Sequence, residues 1–338
     1  MNPPASPLLR IAVVGTGEVA RRNYLPFLAA QPGVTLACWN RTAQTAAQAA
    51  HDFGGEALPT LAAVAAWQPA AVLVLTAETC RHEIGTALIG LGVPKMFFEK
   101  PLVAGQGQAR VSEDDFVQGR EMLRLAAARG CETAMVFNYR FFEQSVAAKE
   151  LVASRRLGRV IAVTAQVHYA CWSHAIDLIH WFAGGIREIA ALAGPVEREG
   201  DRVGAAKDVT AAFVTADGAA GTLLGTAGMK WQHPLFELTF TFEHGRIHLR
   251  DLDGTLEILD GARAQHETIS FVRDTSRWAN YDESFKKALG AYLQSLRDGA
   301  PPPVPGLDGL RELQVEAALK RSIRERRPVN LAEEFPLA

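Results

Sequence analysis

The sequence has little cysteine, no long apolar run and no marked excess of charge of either sign. Its four cysteines, Cys38, Cys80, Cys131 and Cys171, are scattered without a C-x-x-C pair. That spacing excludes a disulfide framework and offers no structural zinc pattern. Cys38 reads as a small buried hydrophobe in a strand. The most apolar stretch, Leu61 to Ala77, is broken by Gln68 and Pro69 and cannot span a bilayer. Met1 to Arg10 carries three prolines and no apolar signal core, so it reads as a frayed lead-in and the expected location is cytoplasmic. The formal net charge is −2, and no basic run is interleaved with aromatics. Nucleic acid and membrane surfaces are therefore not expected partners.

What is present is enough apolar material for two cores. The chain has 338 residues, 48% of them hydrophobic, which fits two domains of ordinary size. Strand-like runs at Arg10–Val14, Thr35–Trp39, Ala71–Thr76 and Lys95–Glu99 alternate with helical runs such as Glu18–Ala30, Thr42–Phe53 and Arg81–Leu91. After a polar insertion, Gly105–Asp115, come a helix at Phe116–Arg129 and a strand at Glu132–Phe137. That rhythm predicts a doubly wound parallel sheet, an α/β domain over residues 1–135. Residues 136–338 read differently. Helices at Phe142–Ser154 and His174–Phe182 flank a strand at Val160–Tyr169. Clustered strand-like runs follow at Val209–Thr215, Gly221–Thr226, Phe236–Glu243, Arg246–Arg250 and Thr255–Asp260, the last joined by an Asp253-Gly254 turn. Helices at Ser284–Arg297 and Leu307–Arg326 close the chain. This predicts a second α/β domain with a large, mainly antiparallel sheet. Phe236, Phe240 and Phe242 fall at even spacing and read as core or interface.

The first strand leads into Gly15-Thr-Gly-Glu-Val-Ala, a Gly-x-Gly-x-x-Ala turn before a helix. Such a turn leaves the backbone bare and aims N–H groups and a helix N-terminus at a pyrophosphate. Gly15, Thr16, Gly17, Glu18 and Val19 are thus the expected dinucleotide contacts. The second strand ends Asn40-Arg41-Thr42, without the carboxylate that would bind a ribose 2′-OH. Asn40, Arg41 and Thr42 lean toward NADP, with NAD the alternative. Two further strand ends open on the same crevice: Thr76, Ala77 and Glu78 with His82 shortly after, and Glu99-Lys100-Pro101.

Taken in order, these segments resemble the Gfo/Idh/MocA family, the glucose–fructose oxidoreductase and inositol dehydrogenase relatives. Its marks here are the Gly15 turn, Thr76-x5-His82, Glu99-Lys100-Pro101, Val136-Phe-Asn-Tyr-Arg140 where the second domain starts, Ser173-His174-Ala-Ile-Asp177, and the last two helices. The resemblance implies a Rossmann domain, an NAD(P) cofactor bound also by Glu99 and Lys100, and hydride exchange with a sugar, cyclitol or related polyhydroxylated substrate. It implies Lys100 and His174 as the catalytic pair, with Asp177 one turn on to orient the imidazole or a substrate hydroxyl. Tyr139, Arg140, Tyr169 and Trp172 are the expected substrate contacts. One departure stands out: many members carry an Asp four residues before the histidine, and this chain has Ala170. Reduction of an imine or other carbonyl compound, or a non-catalytic nucleotide sensor, are therefore alternatives. The outer sheet face suits a homodimer or homotetramer. No metal is expected: His174, Asp177 and His180 spread too far around a helix to share an ion. Cys171-x-x-His174 is not taken as a nucleophile–base pair.

Overall fold

Four apolar residues from Ile11 to Val14, all buried, place the first strand at the centre of a parallel sheet. The computed structural model describes residues 8–200, 204–252, 254–271 and 276–338. The lead-in over residues 1–7 and Asp253 of the expected turn lie outside them. The first sheet contains β1 (Leu9–Val14), β2 (Val34–Trp39), β3 (Gly55–Ala57), β4 (Ala71–Val74), β5 (Lys95–Phe98) and β6 (Glu132–Met135) in the order β3-β2-β1-β4-β5-β6. Every pairing is parallel. The order reverses between β1 and β4, so a crevice opens at the carboxyl ends of those two strands. Helices α1 (Leu25–Ala29), α2 (Ala43–Phe53), α3 (Leu61–Ala66), α4 (Arg81–Gly90) and α5 (Glu113–Ala128) connect these strands.

The helical run after the Gly15 turn is not a uniform α-helix. Residues Ala20–Tyr24 form a π-turn before α1 begins. Pro26 has no N–H to give the carbonyl four residues back, and its ring crowds that carbonyl, so the ladder ahead of it widens.

The second sheet has nine strands: β7 (Val160–His168), β8 (Ile186–Gly200), β9 (Gly204–Thr215), β10 (Ala220–Thr226), β11 (Phe236–Phe242), β12 (Gly245–Arg250), β13 (Leu256–Asp260), β14 (Gln265–Ile269) and β15 (Val329–Asn330). All pairs are antiparallel except β7 with β10. Its inner face is set by alternation. Phe236, Leu238 and Phe240 stand opposite Val167, Ala165 and Val163, and all six are buried. Phe236, Phe240 and Phe242 are thus core. Helices α6 (Glu143–Ser154), α7 (Trp172–Ala183) and α9 (Gly306–Glu325) belong to this half, with α10 (Leu331–Glu334) at the end.

Two strands lie where the sequence showed no clear alternation. β8 carries Gly194-Pro195 and a run of charges. Its pairing with β9 jumps from Ala193↔Val209 to Glu197↔Lys207 across that dipeptide, a bulge that bends both strands. β14 is a polar strand at the sheet edge. The helix expected from Ser284 begins earlier, as α8 (Arg277–Asp298), where Ser276 accepts from the Ala279 N–H and caps it. Although α8 lies late in the sequence, its Phe285, Leu289, Tyr292 and Leu293 pack in one core with Ile11, Val13, Leu73 and Phe97 of the parallel sheet. The second half of the chain thus reaches back to cover the first sheet.

Candidate functional site

At the nucleotide turn, Gly15 has φ +95, and a Cβ there would lie 2.6 Å from the Thr76 backbone nitrogen. Only glycine lets β1 and β4 end this close together. Gly17 is the opposite case: a Cβ on it would meet nothing within 4 Å. The chain is therefore bare on its crevice side, as close approach of a pyrophosphate requires. Thr16 is buried, its N–H donating 3.3 Å to Asn40 Oδ1 and its hydroxyl without a partner. Thr76 likewise has an unpartnered buried hydroxyl. Glu18, Val19, Arg41 and Thr42 are exposed around the same turn. The residues present fit a dinucleotide.

Lys100 is held from several directions. Its backbone N–H donates 2.8 Å to Glu99 Oε2, while Glu99 Oε1 accepts from Tyr24 at 2.6 Å. Glu99 is buried with both oxygens engaged, so it fixes the strand end. The Lys100 ammonium donates 3.1 Å to Gln108 Oε1, and the Gln108 N–H donates 3.2 Å to Glu78 Oε1. Glu78 thereby belongs to the support of Lys100. The loop carrying Gln108 is pinned by a capping box at α5, where Ser112 and Asp115 exchange hydrogen bonds and Asp115 also accepts from Gly105 at 2.7 Å. Arg81, buried at the start of α4, donates to the carbonyls of Thr76, Glu99 and Pro101. It ties the ends of β4 and β5 together, and burial pulls its pKa down. Ala77 is exposed and His82 half-buried beside this junction.

His174 lies near the N-terminal end of α7, 1% exposed. Its ring stacks on Tyr139, centroids 3.9 Å apart and planes within 7°, and meets the edge of Phe137. Burial, then the positive charge of Lys100, push its pKa well below 6.5. Its Nδ1 is buried without a partner. Tyr139 is committed to packing, its hydroxyl 3.1 Å from Cys171 Sγ. Burial pushes the Cys171 thiol up to about 12, so it carries no thiolate at neutral pH.

Asp177 and Arg140 are brought to each other. Arg140 Nε donates 2.8 Å to Asp177 Oδ2, its Nη2 reaches Asp177 Oδ1, and Nη2 also donates 2.8 Å to Asp308 Oδ2. Burial still lifts the Asp177 carboxyl to about 6. His180 is pushed down to about 4 by burial. Among the described residues, no group of three or more His, Cys, Asp or Glu side chains could hold a metal ion.

Next to Gln108, the partner of Lys100, and Ser173, which precedes His174, lies a cavity of 360 Å³ lined by Gln108, Tyr169, Trp172, Ser173, Lys207 and Glu316 among others; Lys100 and His174 do not line it. Tyr169 is fixed there by donating 2.6 Å to the Lys207 carbonyl. Arg81, Gln108, Ser173, Glu312 and Glu316 were not singled out in the sequence. The one signal for the two glutamates was a pair of acids four apart within the apolar helix Leu310–Leu319.

The family model GFO_IDH_MocA, described as an oxidoreductase family with an NAD-binding Rossmann fold, matches residues 9–137. No curated protein matches the chain. An oxidoreductase from Agrobacterium radiobacter, solved with NAD+, L-tartaric acid and magnesium, superposes with a TM-score of 0.79. It is 16% identical, over 96% of this chain and 99% of that one. Levoglucosan dehydrogenase with NADH and levoglucosan gives 0.78 at 15% identity, over 96% and 99%. The WlbA dehydrogenase from Bordetella pertussis, with NADH and UDP-GlcNAcA, gives 0.74 at 19%, over 97% and 99%. At these identities the likeness is one of fold, and it extends through both sheets.

Proposed function

We propose, for a chain whose residues 9–137 belong to the NAD-binding Rossmann domain of the Gfo/Idh/MocA oxidoreductase family, that it is a dehydrogenase or reductase acting on a sugar, cyclitol or related polyhydroxylated compound. The observation carrying this reading is the meeting of Lys100, held by Gln108, and His174 within each other's electrostatic reach, with Gln108 and Ser173 lining a 360 Å³ cavity. When bound, the nicotinamide supplies the hydride acceptor or donor. Lys100 donates an N–H to the substrate oxygen and stabilises negative charge as it develops there. His174 takes or returns the hydroxyl proton; with its pKa well below 6.5, the imidazole is a ready base across neutral pH. Trp172 and Tyr169 form the cavity wall that packs on the substrate. A panel of sugars, cyclitols, ketones and imines, assayed by nicotinamide absorbance, tests the reading; no turnover with any of them would favour a sensor.

NADP is the preferred cofactor in this reading. β2 ends without a carboxylate, Arg41 is exposed there, and the Thr42 hydroxyl is not spent on capping α2. Calorimetric titration with both nucleotides should find tighter NADP binding, and Arg41→Ala should weaken it by about 1.5–3 kcal/mol, leaving NAD unchanged. Equal affinities in the unaltered protein would reject the preference. Gly17→Ala should weaken both nucleotides without lowering the melting temperature, because the added methyl meets no protein atom. A loss of stability with unchanged binding would contradict that role.

The assembly we propose is a homodimer or homotetramer through the outer face of the nine-stranded sheet, where Leu192 is 71% exposed and Ile161 50%. Sedimentation should give a multiple of the chain mass; a monomer at micromolar concentration would refute it. Four free cysteines suit a reducing compartment, which supports a cytoplasmic location.

A further inference from the structure

Two carboxyl groups beside the cavity have no part in the chemistry above. Glu312 and Glu316 stand one turn apart on the same face of α9, 1% and 6% exposed. Helix α9 is enclosed by α5, α7, β6 and β8, so both acids are largely withdrawn from water. Glu316 lines the cavity next to Ser173 and Trp172. Neither oxygen of Glu312 completes a hydrogen bond; the Ser173 hydroxyl and the Lys100 ammonium are the groups that favour its charged form. Two full charges buried this close are costly, and neighbouring carboxyls in such a place retain a proton between them.

Resting on the reading of this cavity as the substrate pocket, we propose that Glu312 and Glu316 select the substrate. Glu316 and Ser173 meet its hydroxyls, and Glu312 positions both from behind, so the pocket takes hydroxyl-rich compounds. A pair with one proton offers a donor and acceptors together, which is what a hydroxyl group matches.

Burial, opposed by Lys320 and Trp172 and aided by Asp115 of α5, lifts Glu316 to about 7. Glu312 faces Lys100, Asp177 of α7 and Glu316 itself. Glu197 and Lys207 of β8 and β9, Arg110 of the loop before α5 and Lys320 of α9 also line the cavity. Above neutral pH the pair loses its proton and with it the donor, so KM for a polyol should rise as pH increases while kcat holds.

The test measures kcat and KM from pH 5 to 9 for a polyol that the enzyme turns over, in the unaltered protein, Glu312→Gln and Glu316→Gln. Glu316→Gln keeps a donor and acceptors, so its KM for the polyol should lose its pH dependence. Glu312→Gln removes the neighbouring acid and should move the KM inflection to lower pH, by roughly one unit. Infrared difference spectra of the free protein provide a second readout: a protonated-carboxyl band at neutral pH, lost in the double variant. Its absence from the unaltered protein overturns the proposal. Polyol turnover with a KM independent of pH and unchanged in both variants overturns this inference alone; no polyol turnover at all overturns the enzyme reading and this inference with it.

Discussion

Replacing either Lys100 or His174 by alanine should lower turnover by about 100- to 10,000-fold, while nucleotide binding and melting temperature change little. The two side chains come from different halves of the fold, Lys100 from the end of β5 and His174 from α7, so each can be removed without disturbing the support of the other. Lys100 is held through its own backbone N–H by Glu99, an interaction that alanine keeps. His174 is packed between Tyr139 and Phe137, so His174→Ala costs some packing; His174→Gln fills more of the space and separates that cost from lost proton transfer. The unaltered enzyme should show no acid limb near pH 6.5 in the oxidation direction. Because burial and Lys100 lower the His174 pKa, the neutral base persists to lower pH and its limb lies below that value. In Lys100→Ala the second of those influences is gone, so any residual activity should have its limb at higher pH. Near-normal turnover in His174→Ala would refute the proton-transfer role.

The parallel half of the fold was legible because each of its devices is local. Four buried apolar residues, two glycines and a small residue at the right spacing specify strand, turn and helix without knowledge of distant partners. Lys100 and His174 could be singled out, but what holds them could not be. Gln108 lies in a polar insertion with no periodicity, and its bond to Lys100 exists only because Ser112 and Asp115 fix the loop. Arg81 reads as an ordinary charge at a helix start; it is buried because three carbonyls from two strand ends converge on it. Glu312 and Glu316, four apart, look like a solvated helix face, and only the packing of α5, α7 and β8 around α9 buries them. β8 escaped notice for a related reason: Gly194-Pro195 breaks its alternation, and the bulge that absorbs the break is a property of its pairing with β9.

Asp177 is the residue whose expected role the geometry alters most, and it underlies the largest stability effect. Arg140 grips its carboxylate with two nitrogens and takes Asp308 with one of them, while Arg311 also donates to Asp308 at 2.8 Å. This network joins the chain just past β6 to α7 and α9, the helices that carry His174 and Glu312. The Asp177 side chain is 1% exposed, so Arg140→Ala leaves a buried carboxylate with no cation and should cost about 3–5 kcal/mol of unfolding free energy. Asp308 retains Arg311 and contributes less to the loss. Burial already holds Asp177 at about 6 with Arg140 in place; without it the pKa rises further. An acid whose folded pKa lies above its unfolded value loses stability as pH rises between the two. The deficit of Arg140→Ala should therefore be smaller at pH 5, where Asp177 is largely neutral, than at pH 8. Arg140→Met combined with Asp177→Leu removes both charges and should recover most of the loss, to within about 1–2 kcal/mol of the unaltered protein. Denaturant unfolding of the three proteins at the two pH values decides the matter. If Arg140 instead serves mainly to bind substrate, Arg140→Ala will raise KM and leave the unfolding midpoint where it was.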